Sequence, residues 1–111
     1  MGRALVIPTK AAQNDIKRLK RKYRGAEAEL WAAFESLESD PHQGVLIPGV
    51  PSVRKVKIAS RDIRGGKERG FRLITSWQQD RLYVMWVYAK PERKTVTPTE
   101  IRQRLERTGL L

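Results

Sequence analysis

The chain has 111 residues, 40% hydrophobic and 32% charged, a balance that suits one folded domain over 1–111 with a modest core and excludes a disordered polymer. Lys and Arg number 23 against 12 Asp and Glu, and the net charge of +11 favours a polyanionic partner: nucleic acid, an acidic protein or an anionic membrane surface. With no cysteine and a single histidine, His42, the chain can build no disulfide, no thiolate metal site and no multi-histidine centre, so neither a metal nor a small-molecule cofactor is expected.

The first residues lack the charged-then-apolar pattern of a signal peptide. The longest apolar run, Leu82 to Ala89, falls far short of the ~20 residues that cross a bilayer. A cytoplasmic protein with no membrane partner is the expectation. Charge is concentrated: residues 1–24 carry +7, residues 25–44 carry −5, and residues 45–94 carry +8.

In chain order, Ala4 to Ile7, closed by Pro8, predicts a short peripheral strand. Thr9 is placed to cap a helix in which Ala12, Ile16, Leu19 and Tyr23 form one face, with Gly25 as its expected terminator. A second helix is predicted over Ala26 to Ser39, with Leu30, Ala33, Phe34 and Leu37 buried, Trp31 at the edge, and Asp40-Pro41 as its end. The short break between the two helices implies an antiparallel hairpin that covers one sheet face. His42 to Ser52, with Pro48, Gly49 and Pro51, is expected to be a loop.

Val56 and Ile58 alternate with Lys55, Lys57 and Ala59, the mark of a half-buried strand. A basic loop with Gly65-Gly66 leads to a strand over Phe71 to Trp77, and Gln79-Asp80 turns the chain into Leu82 to Lys90, apolar on both faces and so expected inside the sheet. Thr97-Pro98 opens a last short helix, with Ile101 and Leu105 facing inward. The order β-αα-βββ-α predicts an α+β domain with a mostly antiparallel four-stranded sheet.

Lys55 and Lys57 share a strand face, so their ammonium groups repel and one is expected to lose its proton more readily, as a general base requires. The plainer reading is a solvent face decorated with lysine against aggregation. Arg72, inside an apolar strand, needs either a phosphate for its planar fork or a structural pair with an acid such as Glu68 or Glu92. Lys90 ends the last strand, either reaching into a groove or keeping its charge in water along an apolar stem. Arg54, Arg61, Arg64, Lys67, Arg69 and Arg93 are further candidates for phosphates, and Tyr88 for stacking on a base, although strand aromatics are more often core.

The segments VRKVKIAS, GGKERGFRLI and LYVMWVYAKPER, followed by the T-P-T-E helix start, resemble the RelE/HigB-type toxins of bacterial toxin–antitoxin systems. Upstream, KAAQNDIKRLKRKYR, the acidic second helix and DPHQGVLIPG extend the resemblance over nearly the whole chain. It implies a RelE-like fold and a ribosome-dependent mRNA endonuclease, silenced by a cognate antitoxin, in which the 2′-hydroxyl attacks the adjacent phosphate without metal. By position, Lys55 and Lys57 match the family's lysine pair, Arg72 its phosphate-stabilising arginine, and Lys90 a basic residue at the last strand's end. The chain departs from the pattern with Pro91 in place of an arginine and Thr97 in place of a tyrosine, and Arg93 and Tyr88 are the nearby residues available to substitute. Two alternatives stand beside it: a ParE-like toxin that binds DNA gyrase, and an RNA-binding module without catalysis.

Overall fold

A computed structural model describes residues 3–110 of the chain. The order is β1 (Leu5–Pro8), α1 (Lys10–Lys22), α2 (Ala26–Ser39), β2 (Val45–Leu46), β3 (Val53–Ile58), β4 (Phe71–Gln78), β5 (Arg81–Ala89) and α3 (Pro98–Arg107), with one turn of 3-10 helix at Gly66–Glu68. The hydroxyl of Thr9 accepts the Ala12 N–H at 3.2 Å and starts α1, a cap worth about 1 kcal/mol. Lys20, Arg21 and Lys22 fill the last turn, where cations suit the helix dipole.

Gly25 does not terminate α1. That helix ends at Tyr23 in extended backbone, and Gly25 opens α2 instead, at φ −84. Its N–H donates to the Asp62 carboxylate at 2.7 Å, and a Cβ here would stand 3.2 Å from the same oxygen. A tertiary contact thus sets this break, rather than a left-handed cap.

The sheet has five strands in the order β1-β5-β4-β3-β2, with β1 parallel to β5 and all other pairs antiparallel. The strand beyond the four expected is β2, two residues inside the connection that reads as a loop, too short to carry any alternation. Gln79 and Asp80, at φ 51 and 62, form the two-residue turn between β4 and β5. Positive φ at both positions gives that turn the twist a hairpin needs.

One bulge decides which residues of β5 point where. Ile74 lies opposite Trp86 while Thr75 lies opposite Val84, so Met85 is an extra residue and the alternation changes phase across it. Leu82, Val84, Val87 and Ala89 therefore share the face covered by the helical hairpin, packed with Leu19, Leu30, Phe34, Phe71 and Leu73. Met85 and Tyr88 join a second core on the opposite face, with Val53, Ile74, Val96, Ile101 and Leu105. Thr97 and Glu100 make a reciprocal capping box at the start of α3, with Pro98 in the first turn. Ile101 and Leu105 of that helix are fully buried, each contributing about 1.5–3 kcal/mol. Helices thus cover both faces of the sheet, α1 and α2 on one side and α3 on the other.

Candidate functional site

The register places Lys57 directly opposite Arg72, and Arg72 directly opposite Tyr88. In the next row on the same face Lys55 lies opposite Ile74, which in turn lies opposite Trp86. The two-residue period of a strand thus gathers Lys55, Lys57, Arg72 and Tyr88 on one face, with neighbouring strands about 4.8 Å apart and successive rows about 6.7 Å apart. Lys90 follows β5 at the same end of the sheet, its N–H bonded to the Gly70 carbonyl at 3.0 Å. Gly70 is required there because a Cβ would fall 2.0 Å from the Ile58 carbonyl oxygen.

Lys55 is half-buried, and its ammonium donates to the neutral Thr95 hydroxyl at 3.3 Å. Its pKa lies below the usual lysine value, first because burial strips away water and then because Lys90, Arg72 and Lys57 repel a further positive charge. Lys57 is exposed and pairs with Glu68 at 3.2 Å, an interaction worth little in water. Lys90 donates to the Lys94 carbonyl at 3.0 Å.

Arg72 is 1% exposed. Its guanidinium donates to the carbonyls of Lys67 at 2.6 Å, Glu68 at 2.7 Å and Phe71 at 3.3 Å, which ties the 3-10 turn to the sheet. The two acids considered as its partners are engaged elsewhere: Glu68 with Lys57, and Glu92 with Arg18 and Lys22. A full positive charge is therefore held under this face by carbonyl dipoles alone. Tyr88 is 2% exposed, with its ring enclosed in the second core. Its hydroxyl is buried without a hydrogen-bond partner, although Thr95 stands close by. Burial raises the phenol's pKa, against Arg72, Thr95 and Arg93, which lower it.

The remaining phosphate candidates scatter. Arg54 lies on the other sheet face, opposite Leu46 and Thr75, and donates to the His42 and Gly44 carbonyls at 3.1 and 3.4 Å. Arg61, Arg64 and Arg69 are exposed on the connection between β3 and β4. Lys67 reaches the lysine pair: an open groove of about 470 Å³ is lined by Gln43, Val45, Lys55, Lys57 and Lys67. Arg93 pairs with Glu100, donates to the Thr95 carbonyl at 3.0 Å, and sits 5.3 Å from the Trp86 ring centre. Thr97 spends its hydroxyl on the α3 cap. Thr95, Gln43 and Val45 join the site without any prior mark, since only strand pairing and the path of the chain after β5 bring them there. Among the described residues, no cluster of three or more His, Asp or Glu side chains could hold a metal ion, and no helix is long and apolar enough to cross a membrane.

No protein-family model matches the chain, and no curated protein matches it in sequence. Among solved structures the chain is similar to a mutant of the E. coli toxin RelE in the free state, with a TM-score of 0.61 and 15% identity over 95% of this chain and 97% of that one. The α+β architecture described above is a RelE-like fold.

Proposed function

We propose that this chain is the toxin of a toxin–antitoxin pair, a metal-independent endoribonuclease that cuts mRNA on the ribosome and is held inactive by its cognate antitoxin. The observation that carries the reading is the state of Lys55: half-buried, bonded only to a neutral hydroxyl, and depressed in pKa by burial and three neighbouring cations. A lysine in that state gives up its proton at lower pH than a free lysine, as a general base requires. The likeness to a RelE toxin supports the assignment through the shared fold.

In this reading neutral Lys55 takes the proton of a ribose 2′-hydroxyl. The 2′ oxygen bonds to the adjacent phosphorus and the bond to the 5′ oxygen breaks, leaving a 2′,3′-cyclic phosphate; the departing 5′ oxygen takes a proton from solvent water to become a 5′-hydroxyl, and Lys55 returns its proton to solvent. Lys57 and Lys90 balance the charge that accumulates on the phosphate oxygens, and Arg72, its donors held by carbonyls beneath the face, adds its positive charge from below. Lys67, Arg61, Arg64 and Arg69 hold the flanking backbone. The cytoplasm, where mRNA is translated, is the place of action.

Translating ribosomes incubated with the purified protein test the proposal. Cuts confined to the mRNA codon in the ribosomal A site are the expected result, lost in Lys55→Met. Arrested translation over intact mRNA overturns it.

A further inference from the structure

A cleft of about 640 Å³ lies apart from the grooves around Lys55, where β1 and the start of β5 meet the ends of two helices. Parallel pairing sets Ile7 beside Tyr83, and these two line its sheet side. The start of α1 supplies Lys10 and Asn14 on one flank, and the end of α3 supplies Arg104, Arg107 and Thr108 on the other. The cleft shares no residue with the lysine face. Tyr83 lies opposite Ser76, four residues along β4 from Arg72, or about 13 Å at ~3.3 Å per residue.

The charge of this cleft is one-sided. Its lining holds Lys10, Arg104 and Arg107 and no carboxylate. Arg104 is matched by Asp15 at 2.7 Å, whereas Lys10 and Arg107, both exposed, form no ion pair among the described residues. A phosphate suits a guanidinium fork and an ammonium better than other common anions do. The cleft is far larger than a bare phosphate needs, and the rest of its lining suits a nucleoside. The half-buried Tyr83 ring and the Ile7 side chain offer a surface on which a base can stack. The exposed Asn14 amide can both donate to and accept from a base edge. Thr108 donates its hydroxyl proton to the Leu105 carbonyl at 2.9 Å, which leaves its oxygen free to accept from a ribose hydroxyl.

We infer that this cleft binds a nucleoside phosphate, with the phosphate between Lys10 and Arg107 and the base against Tyr83. A free nucleotide and an unpaired nucleotide of an RNA strand present the same groups, so the chemistry is shared by both sources. The inference stands apart from the cleavage reading, because it uses none of the cations assigned there. A ligand held by α1 on one flank and α3 on the other spans the same gap as the Asp15–Arg104 pair, and by mass action it raises the melting temperature of the folded chain.

The test titrates the isotope-labelled full chain with ADP and, in parallel, with adenosine, inorganic phosphate and a short adenosine oligomer. Saturable amide shifts at residues 9–14, 83 and 104–108 with ADP, and a higher melting temperature, are the expected result. Adenosine and phosphate each carry only part of the recognised groups and should bind at least about tenfold more weakly, or 1.4 kcal/mol. Arg107→Gln and Tyr83→Leu should each weaken ADP by about tenfold. Lys10→Gln, a change at an exposed side chain, carries the same expectation should either variant unfold. An oligomer that moves these amides as strongly as ADP assigns the cleft to RNA, and one that leaves them in place assigns it to free nucleotides; both uphold the inference. ADP shifts that are absent here or confined to the lysine face, phosphate binding as tight as ADP, an unchanged melting temperature at saturation, or unchanged affinity in the folded variants each overturn it.

Discussion

Asp15 and Arg104, 89 residues apart in sequence, form an ion pair at 2.7 and 3.3 Å across the outer edge of β5. Strand β1 pairs with β5 only from Arg81 to Val84, so beyond the bulge this edge has no strand beside it. The carboxylate of Asp15 accepts the Val87 N–H at 2.9 Å, and Arg104 donates to the Met85 carbonyl at 3.1 Å while its guanidinium lies 3.9 Å from the Trp86 ring centre. The pair takes the place of the missing strand. It also ties α1, on one face of the sheet, to α3 on the other.

Breaking a nearly buried pair leaves one charge without compensation, a loss of about 3–5 kcal/mol. Asp15→Ala should cost that order of stability in urea denaturation, because it strands Arg104 and the Val87 N–H together. Asp15→Asn should cost less, since an amide oxygen still accepts from Val87. Equal losses in the two variants would show that the charge, and not the bond to β5, is what matters.

The depressed pKa of Lys55 gives the cleavage rate a direction in pH. The neutral amine is the base, so the rate should rise as pH climbs through the lowered pKa and level off above it. Lys90→Met removes the largest of the like charges that lower it, and should move the midpoint to higher pH without abolishing the plateau. A midpoint that stays put in Lys90→Met removes Lys55 from the role of base.

Lys57→Ala and Arg72→Ala should each slow cleavage by about 100-fold or more, the range for losing an acid–base group or an oxyanion stabiliser. They should part in stability. Lys57 is exposed and its pair with Glu68 contributes about 0–1 kcal/mol. Arg72→Ala strips donors from three carbonyls, and each group left buried and unpaired costs about 1–3 kcal/mol. Thermal unfolding separates the two, and unchanged cleavage in both variants would make these residues structural.

Tyr88→Phe should leave stability unchanged or raise it by about 1 kcal/mol, because the hydroxyl it removes is buried without a partner. Denaturant unfolding measures this directly. A loss above about 1 kcal/mol would mean that the hydroxyl is bonded in solution, with Thr95 as the nearest group to test.

Much of the fold is local and therefore written in the sequence. The Thr9 cap, the apolar stripe of α2 ending at Asp40-Pro41, the Gln79-Asp80 turn and the Thr97 capping box all act within a few residues, so spacing alone reveals them. The gathering of Lys55, Lys57, Arg72 and Lys90 was half legible, since strand period puts the lysines on one face while the cross-strand partner of each depends on register. Tertiary structure alone decided the rest. The bulge at Met85 reverses which β5 residues meet α3, the edge strand β2 exists only through its bonds to β3, and Gly25 answers to Asp62 rather than to its own helix. Arg72 could satisfy its donors with a carboxylate, a phosphate or carbonyls, and the path of a turn four and five residues upstream settles it for carbonyls. Asp15 and Arg104 carry no mutual signal in the chain because their pairing is a property of the sheet edge between them. Local chemistry repeats every few residues and can be read in order. Pairings between distant residues follow from packing, which no single stretch of the chain contains.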